Sequence, residues 1–186
     1  MTADDTDARV ARMERVHSLV ADDLLNYFAR RVDPVEDAAE LLADTLLVAW
    51  RRIDRLPADD ERCRMWMFVT ARGVLANWRR GRKRRFALAS SLREQLLVSS
   101  GDRGSDDDSY AADVRRAIRS LPQNQRELVV LVHWDGFSIV DAAAVLGIRE
   151  STARGRYQRA TTRLRDDLST LKRPPRDVDM PSPTHR

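Results

Sequence analysis

Ser138-Ile139-Val140-Asp141-Ala142-Ala143-Ala144-Val145-Leu146-Gly147-Ile148-Arg149-Glu150-Ser151-Thr152-Ala153-Arg154-Gly155-Arg156-Tyr157-Gln158-Arg159-Ala160-Thr161-Thr162-Arg163 holds two helical patterns hinged on one glycine. Ser138 through Asp141 has capping-box spacing and opens a helix of roughly eight residues that ends at Gly147. After the tight turn Leu146-Gly147-Ile148, a longer basic helix runs from about Glu150 to Leu171. A short helix, a glycine turn and a second basic helix make a helix-turn-helix, an arrangement in which the second helix enters the DNA major groove. Ala142, Leu146, Ile148, Ala153, Tyr157, Ala160 and Leu164 are the expected inward positions. Ser151, Gly155, Gln158, Arg159 and Thr162 fall on the opposite face, flanked by Arg154 and Arg156. Arginine and glutamine suit guanine and adenine edges, and Ser151 and Thr152 suit phosphate oxygens. Which arginine reads a base and which holds a phosphate is left open. The competing reading is a plain helical hairpin with a basic outer face. The cap, the turn glycine and the outward arginines agree on the first reading.

Outward from this segment the chain stays helical, and alternating strand patterns are absent from the sequence. Toward the N-terminus, Leu121-Pro122 opens a helix carrying Leu128, Val129, Leu131, Val132 and Trp134, stopped by Asp135-Gly136, with His133 as a core-edge residue. Ala111–Arg119 is a short helical pattern before it. Residues 86–110 lose clear order: Phe86–Val98 has the makings of a short helix, and SSGDRGSDDDSY reads as a flexible linker. Further back, Val10, Met13, Val16, Val20, Leu24, Tyr27 and Phe28 recur at helical spacing over residues 9–31. Asp33-Pro34-Val35-Glu36 reads as a capped helix start, leading into a stripe of Ala38, Leu41, Leu42, Thr45, Leu46, Ala49, Trp50 and Ile53. Leu56-Pro57-Ala58-Asp59-Asp60 breaks it. A third helix is expected from Arg64 to Arg80 on Trp66, Met67, Val69, Thr70, Val74 and Trp78. Gly73 in its middle costs about 1 kcal/mol against alanine and points to close helix–helix approach. The tail after Leu171 holds four prolines of the chain's seven and reads as disordered.

Composition narrows the possible functions. The 186 residues include 33 basic and 29 acidic side chains, a net charge of only +4, yet Arg79–Arg85 and Arg149–Arg165 concentrate the positive charge. Two basic segments, each tied to a helical pattern, imply a polyanion touched in two places. No apolar run approaches the length of a membrane span, and the first ten residues are polar and acidic, so neither membrane insertion nor secretion is expected. A single cysteine, Cys63, excludes an internal disulfide and fits a reducing, cytoplasmic compartment. It is placed in a loop as an ordinary, accessible or half-buried thiol. Three scattered histidines leave a zinc site improbable, and no cofactor is expected. There is no paired-carboxylate metal spacing, no nucleophile–histidine pairing and no phosphate-binding glycine loop, so an enzyme is not expected.

The order of residues before the linker carries a resemblance. Glu36-Asp37-Ala38-Ala39-Glu40-Leu41-Leu42 followed by Asp44-Thr45-Leu46-Leu47-Val48-Ala49-Trp50-Arg51 resembles region 2.2 of bacterial sigma factors. Trp66-Met67-Phe68-Val69-Thr70-Ala71-Arg72 and Asn77-Trp78-Arg79-Arg80 resemble the regions that follow it. Leu121-Pro122-Gln123-Asn124-Gln125-Arg126-Glu127 with the helix-turn-helix resembles region 4. With no third sigma domain between them, the chain is similar to the extracytoplasmic-function group. The resemblance implies an all-α chain of two small helical domains. A region 2 bundle (8–85) would be joined by a linker (86–110) to a region 4 helix-turn-helix (111–171), with a disordered tail (172–186).

The resemblance also implies partners and residue roles. Core RNA polymerase, through its β and β′ subunits, would be engaged by Asp37, Glu40, Asp44, Leu47, Val48 and Arg51. The downstream promoter element would be engaged by the loop Leu56–Met65 and by Arg72, Asn77, Trp78, Arg79, Arg80, Arg82, Lys83 and Arg84. There a base flipped from the non-template strand would be captured. Arg149, Ser151, Thr152, Arg154, Gly155, Arg156, Gln158 and Arg159 would engage the upstream element. An anti-sigma factor is the implied regulator. Gly73 and Asn77 stand where asparagine and aspartate are common in the family, Arg149 where a capping serine or threonine is common, and Gly155 where a serine-like contact is common. The Arg149 departure implies a recognition helix starting at Ser151. The alternative is a stand-alone helix-turn-helix regulator, which has no need of the Asp37–Arg51 helix or the Asn77–Arg85 segment.

Overall fold

A computed structural model describes residues 3–93 and 110–171, with side chains over 5–85 and 113–169. Among these residues every regular element is helical, as the periodicities require. The chain divides into two compact units, centred on α1–α3 and on α4–α7.

The first unit is a three-helix bundle of α1 (Ala3–Ala29), α2 (Asp37–Arg51) and α3 (Asp60–Arg93), with a short 3₁₀ turn at Ile53–Arg55. Each helix packs against the other two. Val16, Val20, Leu24, Tyr27 and Phe28 form the buried stripe of α1, spaced at three to four residues. They meet Ala38, Leu41 and Ala49 of α2, and Cys63, Met67, Phe68, Ala71 and Leu75 of α3. The Tyr27 ring stands edge-on to Phe28 at 5.2 Å and to Phe68 at 5.4 Å, the arrangement favoured by ring quadrupoles. Thr45 is fully buried in this apolar setting, and its hydroxyl donates to the Leu41 carbonyl at 2.7 Å, so no orphaned polar group results. Arg15 pairs with Asp60 at 2.5 Å and Arg64 with Asp23 at 3.0 Å, which registers α1 beside α3 with the two helices running in the same direction.

Several local expectations change. Asp33-Pro34-Val35-Glu36 does not cap α2: Glu36 has helical dihedrals (φ −59°, ψ −31°), and no side chain caps this end. The chain instead winds in through i+3 bonds from the amides of Asp37, Ala38 and Ala39 to the carbonyls of Pro34, Val35 and Glu36. The genuine cap lies farther on. Asp59 accepts from the Arg62 amide at 2.9 Å, so α3 begins at Asp60 and not at Arg64. Cys63 therefore sits inside α3, buried, and not in a loop. Burial pushes its thiol pKa up, against the opposing pull of the nearby Arg15.

The inward stripe of α3 is also rotated from the expected one: Phe68, Ala71 and Leu75 are buried, and Val69 is 46% exposed. A Cβ built on Gly73 meets nothing within 4 Å, so close helix packing does not explain this glycine. Finally, α3 runs on to Arg93 through the stretch expected to lose order from residue 86. The remainder of the expected linker, 94–109, and the tail, 172–186, lie outside the described residues.

The second unit holds α4 (Tyr110–Ser120), α5 (Gln123–His133), α6 (Ile139–Leu146) and α7 (Glu150–Leu171). Leu121, Val129 and Ala160 form its central cluster, with Leu164 packed against it. The Arg126 guanidinium donates to the carbonyls of Arg119 and Leu121, closing the α4–α5 corner. Two glycines make the sharp stops, Gly136 at φ 71° and Gly147 at φ 66°, in a region where a side chain is strained. At the second stop the Ile148 amide donates to Ala143 O at 3.0 Å and the Gly147 amide to Ala144 O at 3.1 Å, the paired bonds of a Schellman ending. Ser138 caps α6: its hydroxyl accepts from the Asp141 amide at 3.1 Å and donates to the Asp141 carboxylate. The reciprocal half of the box, carboxylate to Ser138 amide, is replaced by that hydroxyl contact.

Two glycine substitutions should move stability in opposite directions. Gly147→Ala should destabilise the second unit by about 1–2 kcal/mol, and Gly73→Ala should stabilise the first by about 0.5–1 kcal/mol. Urea denaturation checks both, and a stabilised Gly147→Ala or a destabilised Gly73→Ala would contradict the structure. The Cys63 thiol should react with iodoacetamide at pH 8 at least ~10-fold more slowly in the folded chain than in denaturant, because the thiolate is the reacting form and burial opposes it. Its folded pKa is raised, so its contribution to stability is intact below the unfolded value and lost as pH climbs through the folded one.

Candidate nucleic-acid and partner interfaces

Three exposed stripes lie opposite the buried ones. On α2, burial of Ala38, Leu41, Thr45 and Ala49 fixes the rotation of the helix. Glu40, Asp44, Leu47 and Arg51, spaced four, three and four residues apart, are thereby turned outward. Asp37 and Val48 are half-buried beside them. Leu47, 45% exposed, continues into an open groove between α1 and α2 lined by Val10, Met13, Leu46 and Trp50, with Glu14 and His17 at its edge. This groove was missed by sequence reasoning, because Val10 and Met13 recur at the same helical spacing as the buried α1 residues and only their exposure sets them apart.

The α3 stripe runs Val69, Gly73, Asn77, Arg80 and Arg84, one turn per step, with Arg72 and Lys83 exposed alongside. Its cations are not equivalent. Arg79 reaches back to the Arg31 carbonyl at 3.4 Å, and Arg82 donates to the Asp33 carbonyl while its guanidinium lies 5.2 Å from the centre of the half-buried Trp78 ring. These two tie the helix to the α1–α2 connection. Arg80 donates to the Asn77 side-chain oxygen one turn back. The expected downstream-element loop, Leu56–Met65, is in the structure a loop only up to Asp59. Two of its carbonyls are held: Arg12 donates to Leu56 O and Arg15 to Ala58 O at 2.6 Å.

On α7, Ala153 and Ala160 are completely buried, with Tyr157 and Leu164 half-buried on the same stripe. Opposite them Ser151, Arg154, Gln158, Arg159 and Thr162 are exposed, while Thr152, Gly155 and Arg156 flank at intermediate depth. The helix begins at Glu150 and not at Ser151, because the Arg149 carbonyl already accepts from the Ala153 amide at 3.0 Å. Arg149 therefore sits at the cap with its side chain exposed. Arg154 is paired with Glu150 at 2.8 Å, an i,i+4 link along α7. His133 is exposed, not a core-edge residue. Its ring stacks on Tyr157 at 5.8 Å with an interplanar angle of 19°, and Nε2 lies 2.8 Å from the Tyr157 hydroxyl, so the pair clamps α7 to the end of α5. Trp134 beside it is 48% exposed.

Residues 111–164 match the sequence profile of the family described as Sigma-70, region 4. Similarity extends beyond that profile. The chain is 32% identical over 159 residues to an RNA polymerase sigma-E factor of Streptomyces avermitilis, covering 84% of this chain and 83% of that protein. It is also 32% identical to the ECF RNA polymerase sigma factor SigC of Mycobacterium tuberculosis, over 75% of each.

Among solved structures it resembles CnrH in complex with the cytosolic domain of CnrY, with TM-score 0.58 and 24% identity over 85% of this chain and 88% of that one. It resembles also the sigma factor RpoE in complex with the anti-sigma factor NepR from Bartonella quintana, with TM-score 0.52 and 22% identity over 92% of this chain and 100% of that one. At those identities the structures speak for the fold alone. The sequence relatives, spanning three quarters or more of both partners, carry the assignment: the chain belongs to the extracytoplasmic-function RNA polymerase sigma factors.

Proposed function

We propose that the chain acts as a promoter-specificity subunit: the first unit docks on core RNA polymerase and opens the downstream element, and the second holds the upstream element. The observation that carries this is the pairing of each basic or amphipathic helix with a buried stripe that fixes its rotation. Glu40, Asp44, Leu47 and Arg51 of α2 would face the polymerase, with Asp37 and Val48 flanking. An acidic, partly apolar strip of this kind suits a basic, partly apolar partner helix on the β′ subunit, with β as a second contact. Arg72, Lys83 and Arg84 would track phosphates, joined by Arg79, Arg80 and Arg82 as DNA displaces their present contacts. Asn77 and Trp78 would lie nearest the bases. On α7, Arg154, Gln158 and Arg159 would face base edges, with Arg149, Ser151 and Thr152 at the phosphates near the helix start and Gly155 and Arg156 between.

The protein supplies specificity and no catalysis of its own, acting in the cytoplasm under an anti-sigma partner. Support for that partner comes from the solved structure of RpoE, a sigma factor described in complex with the anti-sigma factor NepR. Among the described residues no helix is long and apolar enough to cross a membrane.

Leu47→Glu tests the polymerase contact, because an exposed leucine can be exchanged without opening a core cavity. The variant should keep its helical circular dichroism and lose co-migration with core polymerase on a sizing column; undiminished co-migration would refute the α2 assignment. Removing the exposed cations Lys83 and Arg84 together should lower the slope of log affinity for promoter DNA against log salt by roughly 1 to 2, one phosphate contact for each charge lost. An unchanged slope would place both side chains away from the backbone.

A further inference from the structure

The end of α5 carries an aromatic surface that neither the core nor the outer face of α7 uses. The His133 ring stacks on Tyr157, centres 5.8 Å apart, and stands edge-on to Trp134 at 6.2 Å, so His133 joins the other two rings into one surface. Tyr157 is half-buried, His133 is exposed and Trp134 is 48% exposed. Clamping of α7 accounts for the His133–Tyr157 pair. It does not account for Trp134, a large apolar ring left half in solvent beside a second exposed ring. The same chain holds a segment of matching chemistry. Beyond Leu171, the last residue of α7, the sequence reads Lys172-Arg173-Pro174-Pro175-Arg176-Asp177-Val178-Asp179-Met180-Pro181-Ser182-Pro183-Thr184-His185-Arg186, with four of the seven prolines. Proline-rich segments bind surfaces lined by tryptophan and tyrosine, because their stiff polyproline II backbone forfeits little entropy on docking.

We propose that Pro181-Ser182-Pro183 docks on the Trp134–His133–Tyr157 surface of its own chain, with residues 172–183 doubling back along α7. Length permits it. From Leu171 back to Tyr157 the helix measures about 21 Å. Pro174-Pro175 cannot extend α7 and makes the reversal. From Arg176 to Pro183 a polyproline II segment spans about 22 Å, which brings Pro183 level with Tyr157. The step from Pro181 to Pro183, about 6 Å in that conformation, matches the spacing of the neighbouring rings. Charge fits the same path. Lys172 and Arg173 follow the C-terminal end of α7, where the helix dipole favours cations. Asp177 and Asp179 then pass Arg165 and Arg163, both exposed on the last turns of α7. The segment would thus cover Trp134 and offset part of the positive charge at that end of the helix. The inference does not depend on the promoter-binding reading.

The test is paramagnetic broadening in the full chain, with a nitroxide attached through Thr184→Cys in a Cys63→Ala background. The same sample with its nitroxide reduced is the reference, so any effect of the substitutions on the fold cancels. The indole N–H of Trp134, identified by its loss in Trp134→Phe, and the amide of Tyr157 should lose most of their signal. Adding Pro181→Ser and Pro183→Ser, which leave the helices untouched, should restore most of it. Full signals at Trp134 and Tyr157 in the labelled chain would overturn the proposal and leave that surface open to another protein. Broadening that survives the two proline substitutions unchanged would overturn it too, since the docking would then not depend on the prolines. A mixture of nitroxide-bearing chains without nitrogen-15 and nitrogen-15 chains without nitroxide separates the remaining case. It should show no broadening, and broadening as strong as in the singly prepared chain would assign the occupant to a second copy and refute the intramolecular cover.

Discussion

Burial of Ala153 and Ala160 against the second unit's interior is the constraint on which the outer face of α7 depends. Ala160 packs with Leu121 and Val129, and both alanines are completely excluded from solvent. Side chains this small let α7 lie close to its neighbours, and a helix so seated cannot rotate without exposing apolar surface and clashing its long arginines into the core. Ser151, Arg154, Gln158, Arg159 and Thr162 are outward because these two alanines are inward. The Tyr157 ring, stacked on His133, adds a second point of fixation along the same stripe. The first unit repeats the device with larger side chains: Phe68, Ala71 and Leu75 hold α3 so that Val69, Gly73, Asn77 and Arg80 face solvent.

The two units differ in how their cations are held. On α3, Arg79 and Arg82 reach to backbone carbonyls of the α1–α2 connection, and Arg80 binds Asn77. On α7, Arg154 is held by Glu150 while Arg149 and Arg159 stay exposed. An arginine already engaged with a carbonyl or carboxylate must exchange that contact for a phosphate or a base, which lowers the net gain from binding and favours geometry-dependent selectivity over indiscriminate attraction. The net charge is only +4, so the positive charge of the chain is concentrated in two localised stripes and is not a property of the chain as a whole.

Much of this architecture was legible before any coordinates. Gly147 announced the turn because only a residue without Cβ tolerates its positive φ, and Ser138 announced α6 because its hydroxyl is a natural cap. The inward set on α7 was read from the period alone. The first unit was read less well, for identifiable reasons. Asp33-Pro34-Val35-Glu36 has the composition of a cap but enters α2 with helical dihedrals already at Glu36. Asp59, one residue before three charged ones, was taken for part of a breaker. That error displaced the start of α3 by four residues and moved Cys63 from the core to a loop. The basic run beyond Arg79 lacks an apolar stripe, so periodicity fell silent there although the helix continued to Arg93. Contacts between side chains one turn apart, Arg80 with Asn77 and Arg154 with Glu150, were within reach of spacing rules but needed rotamers to be seen.

In the proposed function, two helical faces held in fixed rotation, one in each unit, select where a borrowed polymerase begins. Mapping transcript 5′ ends made by core polymerase on genomic DNA, with and without the purified chain, addresses it most directly. Addition of the chain should concentrate starts at a small set of sites that share two conserved sequence blocks at fixed separation. A start-site distribution identical to that of core enzyme alone would contradict the account.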